Sequence, residues 1–402
     1  MNGIYLLKKS VQEYAWGSKT AIAELLGKPK PSPAPQAELW MGAHPKAPSL
    51  VVTPEADIPL NDFIEDDPEN VLGTATARRF EGRLPYLLKV LAAAKPLSIQ
   101  AHPNLDQARQ GFLRENRLGI DIKAPERNYR DANHKPECIC ALTDYWAMNG
   151  FRESEDIARR LHTLCPVTLN GIIDRTLPAG TADLRRFFEA LLTLETSACR
   201  RVVSEALENL QILPENDETG IWIQRLQSEY PYDIGVLSPS ILNLVCLQPG
   251  QAMFLPAGQL HAYLEGVGIE LMANSDNVLR GGLTPKHVDV AELVRVLNFT
   301  ATRLEILLPE PVNTTEKIYR TATDEFELSV IDTENSRSHA NRRRDALQIL
   351  LCTAGQATLS RPVDSEKIRV HKGTCILVKA EAPAFRIEGE ATFYKAAVPE
   401  KS

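Results

Sequence analysis

The sequence predicts a mainly β protein: two barrels, the first interrupted by a helical insertion. Three observations lead there. Residues 84–151 and 231–286 carry short apolar runs broken by Gly, Pro and Asn, the pattern of strands joined by turns. Residues 152–230 instead place their apolar residues at helical spacing. From about residue 300 short strand signals return to the end of the chain: FELSVI, ALQILLCT, GQATLSR, TCILVK, AFRIEG and ATFYKAAV. The expected organisation is one barrel from residues 1–151 and 231–290, a helical insertion over 152–230, and a second β domain over 291–402.

Composition narrows the function. The chain has 402 residues, enough for two or three domains. Its 45 Lys and Arg against 52 Asp and Glu give a net charge of −7, without the basic surface a nucleic-acid binder wants. The 7 cysteines, in a long chain, read as reduced, buried thiols, hence a cytoplasmic protein. The opening MNGIYLLKKS is no export signal, and no apolar run reaches membrane-spanning length. Without an exposed apolar stripe, a monomer is expected.

In chain order, residues 1–60 read as strands and turns. Trp16 is placed either in the packing or along a ligand pocket, and His44 in a turn. Residues 84–102 read as two strands around Lys95-Pro96. Gln100 and His102 are two apart and so share a face of the second; Ser98 shares it too. A short helix follows over 105–112. Lys135 and Glu137 then share one face of the next strand, and His134 points the other way. Helices are expected around 157–164, 184–192 and 203–210, the middle one capped by Thr181 or Asp183. His162 falls on a polar helix side.

Residues 250–286 hold the densest polar pattern. A strand ends at Pro256, Gly258 turns the chain, and His261 opens the returning strand. Glu270, Asn274, Ser275, Asp276, Asn277 and Arg280 follow. So many polar groups around a strand pair are costly to bury unless they bond each other or a ligand. Gly373 to Lys379 can be laid over Gly250 to Pro256, which puts Ala384 at the position of His261. A second barrel without a metal ligand is therefore expected.

Gathered on one barrel interior, Gln100, His102, Glu137 and His261 make a borderline-hard site suited to zinc, and less selectively to manganese, cobalt or nickel. Three or four protein ligands leave room for a substrate oxygen. The spacing Gly250…Pro256-x-Gly258-x-x-His261 resembles the second motif of the cupins, which are jelly-roll barrels. More narrowly, Tyr129-Arg-Asp-Ala-Asn-His-Lys-Pro-Glu137 resembles the first signature of type I mannose-6-phosphate isomerases. His261-Ala-Tyr263 through Ser275-Asp-Asn277 and Arg280 to Thr284-Pro-Lys286 resembles the second. Gly281 stands where alanine is expected.

The resemblance implies two cupin-like jelly rolls and one zinc ion per chain on Gln100, His102, Glu137 and His261. It implies interconversion of mannose 6-phosphate and fructose 6-phosphate through a cis-enediol. Arg280 is then expected to stabilise the enediolate or the phosphate. Lys135 is expected to move a proton or hold a substrate oxygen, Asp276 and Glu270 to act in acid–base steps, and His134 in a secondary role. Ser98 and Trp16 are candidate substrate contacts. Two rivals exist. An iron oxygenase would leave open the position Gln100 fills, and has no use for Lys135 and Arg280. A non-catalytic sugar-binding cupin would lack the ligands or the cations.

Overall fold

The computed structural model describes residues 3–180, 182–334, 338–361 and 367–400. Thr181 lies outside them; Asp183 caps the helix Leu184–Leu192, its carboxylate accepting from the Arg186 N–H at 2.9 Å. Among the described residues the strands form a 10-stranded and an 11-stranded antiparallel sheet.

The first sheet is built on the strand His261–Ala273, which pairs with Tyr86–Ala93, Ile99–Ala101, Glu137–Ala141 and Tyr145–Phe151. One 13-residue strand can serve four partners because it bends midway. Gly266 sits at the bend with φ 132°, and a Cβ there would lie 2.7 Å from the Asp144 carbonyl oxygen. Only glycine fits. Glu38–Gly42 extends this sheet through Tyr86–Ala93.

The insertion holds five α-helices among the described residues: Ser154–Leu164, Asn170–Thr176, Leu184–Leu192, Thr196–Asn209 and Glu218–Glu229. Their apolar stripes meet the outer face of the first sheet. Ile157, Phe187, Phe188, Trp222 and Leu226 pack with Ile99, Met148, Phe151, Leu242 and Leu260. Helical period therefore located this layer correctly. Three short helices, Leu60–Asp66, Pro68–Leu72 and Thr74–Arg79, fill a region where no element was expected.

The second sheet contains the C-terminal strands and three from the N-terminus. Ile4–Lys8 pairs with Cys375–Val378 on one side and Leu50–Val52 on the other, which in turn pairs Asp57–Pro59. Hydrogen bonding thus crosses the division expected at residue 291. An unpaired edge strand is a liability, and the N-terminal strands cover it. ALQILLCT and GQATLSR form a single strand, Gln348–Ser360, with a register shift between Cys352 and Ala354. AFRIEG and ATFYKAAV likewise join in Phe385–Ala397. Glycines inside these strands read as turns but act as bends.

The laid-over segments have like local structure. Ala252–Leu255 precedes a 13-residue strand, and Cys375–Val378 precedes another. Gly250 and Gly373 have φ 85° and 86°, and the bend glycines Gly266 and Gly389 have φ 132° and 128°.

The two sheets meet across Leu88, Val90, Cys138, Ile269 and Leu271 on one side and Phe326, Leu328, Ile349, Leu351 and Leu377 on the other, all buried. Hydroxyls pin this contact. The buried Tyr86 hydroxyl reaches the carbonyls of Leu347 and Ala396 at 3.2 and 3.1 Å. Removing it in Tyr86→Phe strips both carbonyls of that donor and is expected to destabilise by about 1–3 kcal/mol, read as a lower urea midpoint at unchanged slope.

Candidate metal centre

His102, Glu137 and His261 come from three different strands or strand ends, and each is at most 1% exposed. Register brings them together. His261 lies opposite Gln100, and Glu137 lies opposite both Leu255 and Met272. Gly258, at φ 76°, makes the turn that leads into His261, and its N–H donates to the His102 carbonyl at 2.8 Å. A Cβ on Gly258 would lie 3.0 Å from the Val296 carbonyl oxygen.

The hydrogen bonds fix both imidazole tautomers. His102 Nδ1 faces the Asn277 carbonyl at 2.7 Å, and His261 Nδ1 faces the Gln259 carbonyl at 2.9 Å. A carbonyl only accepts, so each Nδ1 carries the proton and each Nε2 presents a lone pair. Both Nε2 atoms are buried without a hydrogen-bond partner. They lie 3.3 and 3.6 Å from the nearest Glu137 oxygens. Burial lowers the pKa of both rings, that of His261 to about 4, so neither is an imidazolium near neutrality.

Lone pairs therefore face a carboxylate with no proton between them, and one ligand atom from each residue lies within 4.8 Å of the others. Such a group repels itself unless a cation sits among it. A tetrahedral zinc with bonds of about 2.0–2.1 Å spaces its donors by roughly 3.4 Å, close to what is seen. The donor set of two neutral imidazoles and one carboxylate fits zinc. Gln100, opposite both His261 and Arg280, shares their face of the sheet.

Glu137 is held from two sides. The Tyr263 hydroxyl donates to Oε2 at 3.1 Å, and Lys135 Nζ is 2.8 Å from Oε1. Burial opposes ionisation of Glu137, but the Lys135 ammonium outweighs it and holds the carboxyl well below the usual range. Lys135 thus meets Glu137, as their spacing predicted, although the loop before Glu137 is not a strand.

The other expected residues fall in three places. Asp276 stands at the rim, 2.9 Å from Lys46 Nζ and 3.6 Å from His44 Nε2. Burial opposes its ionisation, but His44 and Lys46 prevail and keep it a carboxylate. The turn histidine His44 is therefore part of the site's rim, a role its sequence did not suggest. Arg280 is partly buried near Arg130 and Lys286. Burial and Arg130 lower its pKa, and burial with Arg280 and Arg130 lowers that of Lys286. Among the described residues no carboxylate pairs with any of the three cations. His134 points away from the ligands to Glu325, at 2.7 Å.

Glu270, expected in acid–base steps, is 3% exposed and lies 2.8 Å from Lys89 Nζ. Lys89 also lies 3.5 Å from Glu38, whose carboxylate accepts from the Trp40 indole. Burial would lower the Lys89 pKa; Glu270 and Glu38 outweigh it and keep the ammonium. A lone lysine in the apolar strand YLLKVLAA, and a lone glutamate before LWMG, were the available signals for this ladder. Trp16 stacks on Tyr14 and packs against the barrel's apolar interior. Ser98 precedes the strand Ile99–Ala101 and is partly exposed.

The polar residues of the second signature largely bond the first. Ser275 Oγ donates to Asp131 at 2.8 Å, and Asn277 donates to the carbonyls of Asp131 and Asn133, each at 2.9 Å. Asn277 Oδ1 accepts from the Arg130 N–H at 2.7 Å. The two signatures are thus one braced rim. Because Tyr263 orients a ligand, Tyr263→Phe is expected to weaken zinc binding by roughly 10-fold, measured by competition with a chromogenic chelator. An unchanged affinity would remove that role.

Residues 4–154 match the family description phosphomannose isomerase type I, catalytic domain. The chain is 43% identical to mannose-6-phosphate isomerase of Escherichia coli strain K12 over 389 residues, covering 95% of this chain and 96% of that one. It is 32% identical to the Homo sapiens protein of the same name over 410 residues, covering 94% and 93%. A crystal structure of zinc-bound mannose 6-phosphate isomerase superposes with a TM-score of 0.90 at 39% identity, over 99% of this chain and 100% of that one. With identity running through nearly the whole length, and the ligand cluster standing where the two signatures meet, this chain belongs to the type I phosphomannose isomerase family.

Proposed function

We propose that the protein is a zinc-dependent aldose–ketose isomerase interconverting D-mannose 6-phosphate and D-fructose 6-phosphate. The observation that carries it is the buried His102–Glu137–His261 group, with unprotonated nitrogens, opening toward a rim of unpaired cations. Gln100 completes the ligand set from the same sheet face. When bound, zinc supplies Lewis-acid polarisation to the C1 and C2 oxygens of the open-chain sugar.

The chain's own groups do the rest. The reaction removes a weakly acidic proton from C2 and returns it to C1, on one face of a cis-enediol. Lys135, between the rim and Glu137, is the group best placed to carry it or to hold the neighbouring oxygen. Asp276, kept as a carboxylate by Lys46 and His44, suits proton exchange with the ring oxygen during opening. Lys89 and Glu270 act beneath the site by fixing its field rather than by touching substrate.

The phosphate end is assigned to Arg280, Arg130 and Lys286, with Ser98 as a neutral donor. Three mutually repelling cations without a carboxylate are a prepared site for a dianion. Holding phosphate there positions C1 and C2 at the other end of the chain. The seven cysteines are free thiols, most of them buried, which supports a reducing, cytoplasmic location. No helix among the described residues is long and apolar enough to cross a membrane. The unit is taken as a single chain.

The test is a coupled assay of mannose 6-phosphate turnover on protein as purified, chelator-stripped and zinc-restored, with His261→Ala beside it. Activity should vanish on stripping, return with zinc, and stay absent in the variant. Full turnover by verified metal-free protein would overturn the zinc assignment. Arg130→Ala and Lys286→Ala are each expected to raise KM about 10-fold with kcat held within about threefold, and to weaken inhibition by inorganic phosphate by a similar factor. Unchanged KM and inhibition would move the phosphate elsewhere.

A further inference from the structure

His134 sits between two firmly fixed points. On one side Asn133 is tied to the second signature through its side chain to the Asn274 carbonyl at 3.0 Å, and through its own carbonyl to Asn277 and Ser275. On the other, the Pro136 carbonyl accepts from the Ala273 N–H at 3.1 Å, and Glu137 enters its strand. Only His134 and Lys135 bridge the interval. Lys135 is the group that faces Glu137, so where it stands depends on its neighbour.

The His134 ring is held from outside the metal-bearing barrel. Its Nε2 lies 2.7 Å from Glu325 Oε1, and Glu325 belongs to the C-terminal region, 191 residues along the chain. That carboxylate is itself anchored. Thr323 Oγ1 donates to its other oxygen, Asp324 pairs with Arg79, and Phe326 is fully buried between the two sheets. The Glu325 side chain is 14% exposed and that of His134 24%, so water competes weakly for the contact. Burial opposes ionisation of Glu325, but the bonds from His134 and Thr323 hold its pKa at about 2. An ionised carboxylate only accepts, so Nε2 carries a proton in either charge state of the ring.

The geometry points to Glu325 as a positioning residue for the isomerase reaction: it fixes His134, and through it the height of Lys135 over Glu137. The C-terminal domain, whose described residues gather no cluster of three metal-ligating side chains, thereby contributes to catalysis from a distance. Glu325 touches neither substrate nor ligand atoms. This rests on the isomerase reading above, and the controls keep the two apart.

Kinetics of Glu325→Ala, Glu325→Gln and wild type decide it, with zinc content and melting temperature read beside them. Wild-type turnover confirms the parent reading; its absence would sink that reading and leave no reaction to position. Given turnover, Glu325→Ala should lower kcat roughly 10-fold with KM within about twofold and zinc still near one per chain. Glu325→Gln keeps an acceptor for the Nε2 proton and should recover to within about threefold of wild type. In a His134→Ala background, removing Glu325 should cost nothing further. Wild-type kcat in folded Glu325→Ala, or an additive loss in the double variant, would overturn the proposal. Should Glu325→Ala not fold, Glu325→Asp keeps the charge and withdraws it by one methylene; wild-type kcat there would overturn it equally.

Discussion

Two imidazole nitrogens and a carboxylate converge at the bottom of a barrel with no proton among them, and the surrounding structure is arranged to keep it so. Each Nδ1 is committed to a backbone carbonyl, which turns each Nε2 lone pair inward. Those carbonyls belong to Asn277 and Gln259, one on the braced rim and one in the turn after Gly258. Rim and turn therefore set the tautomers, and the tautomers define the site. A looser turn would free the rings to protonate or to pair with Glu137 directly, and a cation would lose its place.

Burying Glu137 would cost several kcal/mol were it left alone. Lys135 and Tyr263 offset part of this before any metal arrives. Below them Glu38, Lys89 and Glu270 alternate in sign, two carboxylates sharing one buried ammonium. Such a ladder has few ways to rearrange in a low-dielectric interior, which keeps the field at the metal constant. The rim is different. Among the described residues no carboxylate pairs with Arg130, Arg280 or Lys286; besides burial, Arg130 lowers the proton affinity of Arg280, and Arg280 and Arg130 lower that of Lys286. The chain as a whole is acidic, at −7. Any attraction for an anionic substrate must therefore be local, which is what the proposed role of these three cations supplies.

The candidate cluster was legible because residues two apart in extended chain share a side: His102 two after Gln100, and Glu137 two after Lys135, although His102 and Lys135 lie just outside the strands. His261 was legible because Pro256 and Gly258 announce the turn before it. The helical insertion was legible from period alone. Lys89 and Glu38 passed unremarked because each is a single charge in an apolar run, and its partner lies on another strand. His44 read as a turn residue, and it is one; its contact with Asp276 is long-range. Glu270 was legible as a polar residue of the second signature, but its pairing with Lys89 was not, since that partner lies on another strand. Strand ends failed at Gly355 and Gly389, where a positive φ bends a continuous strand instead of ending it.

The second barrel repeats the framework of the first and withholds its chemistry. In the first, Leu255 lies opposite Glu137; in the second, Val378 lies opposite Gln348, which is fully buried and accepts from Asn341. Ala384 stands where the overlay would place His261. A neutral amide and a methyl occupy those positions, and Glu316 is paired with Lys395 and accepts from the Ser329 hydroxyl. Among the described residues the buried Glu316 of the second barrel finds its counter-charge within that barrel, whereas the Nε2 atoms of the first barrel's histidines have no partner. That difference suits the second barrel to be the rigid member of the pair. It takes in the Ile4–Lys8 strand, buries one face of the first sheet against its own, and holds Glu325 2.7 Å from His134.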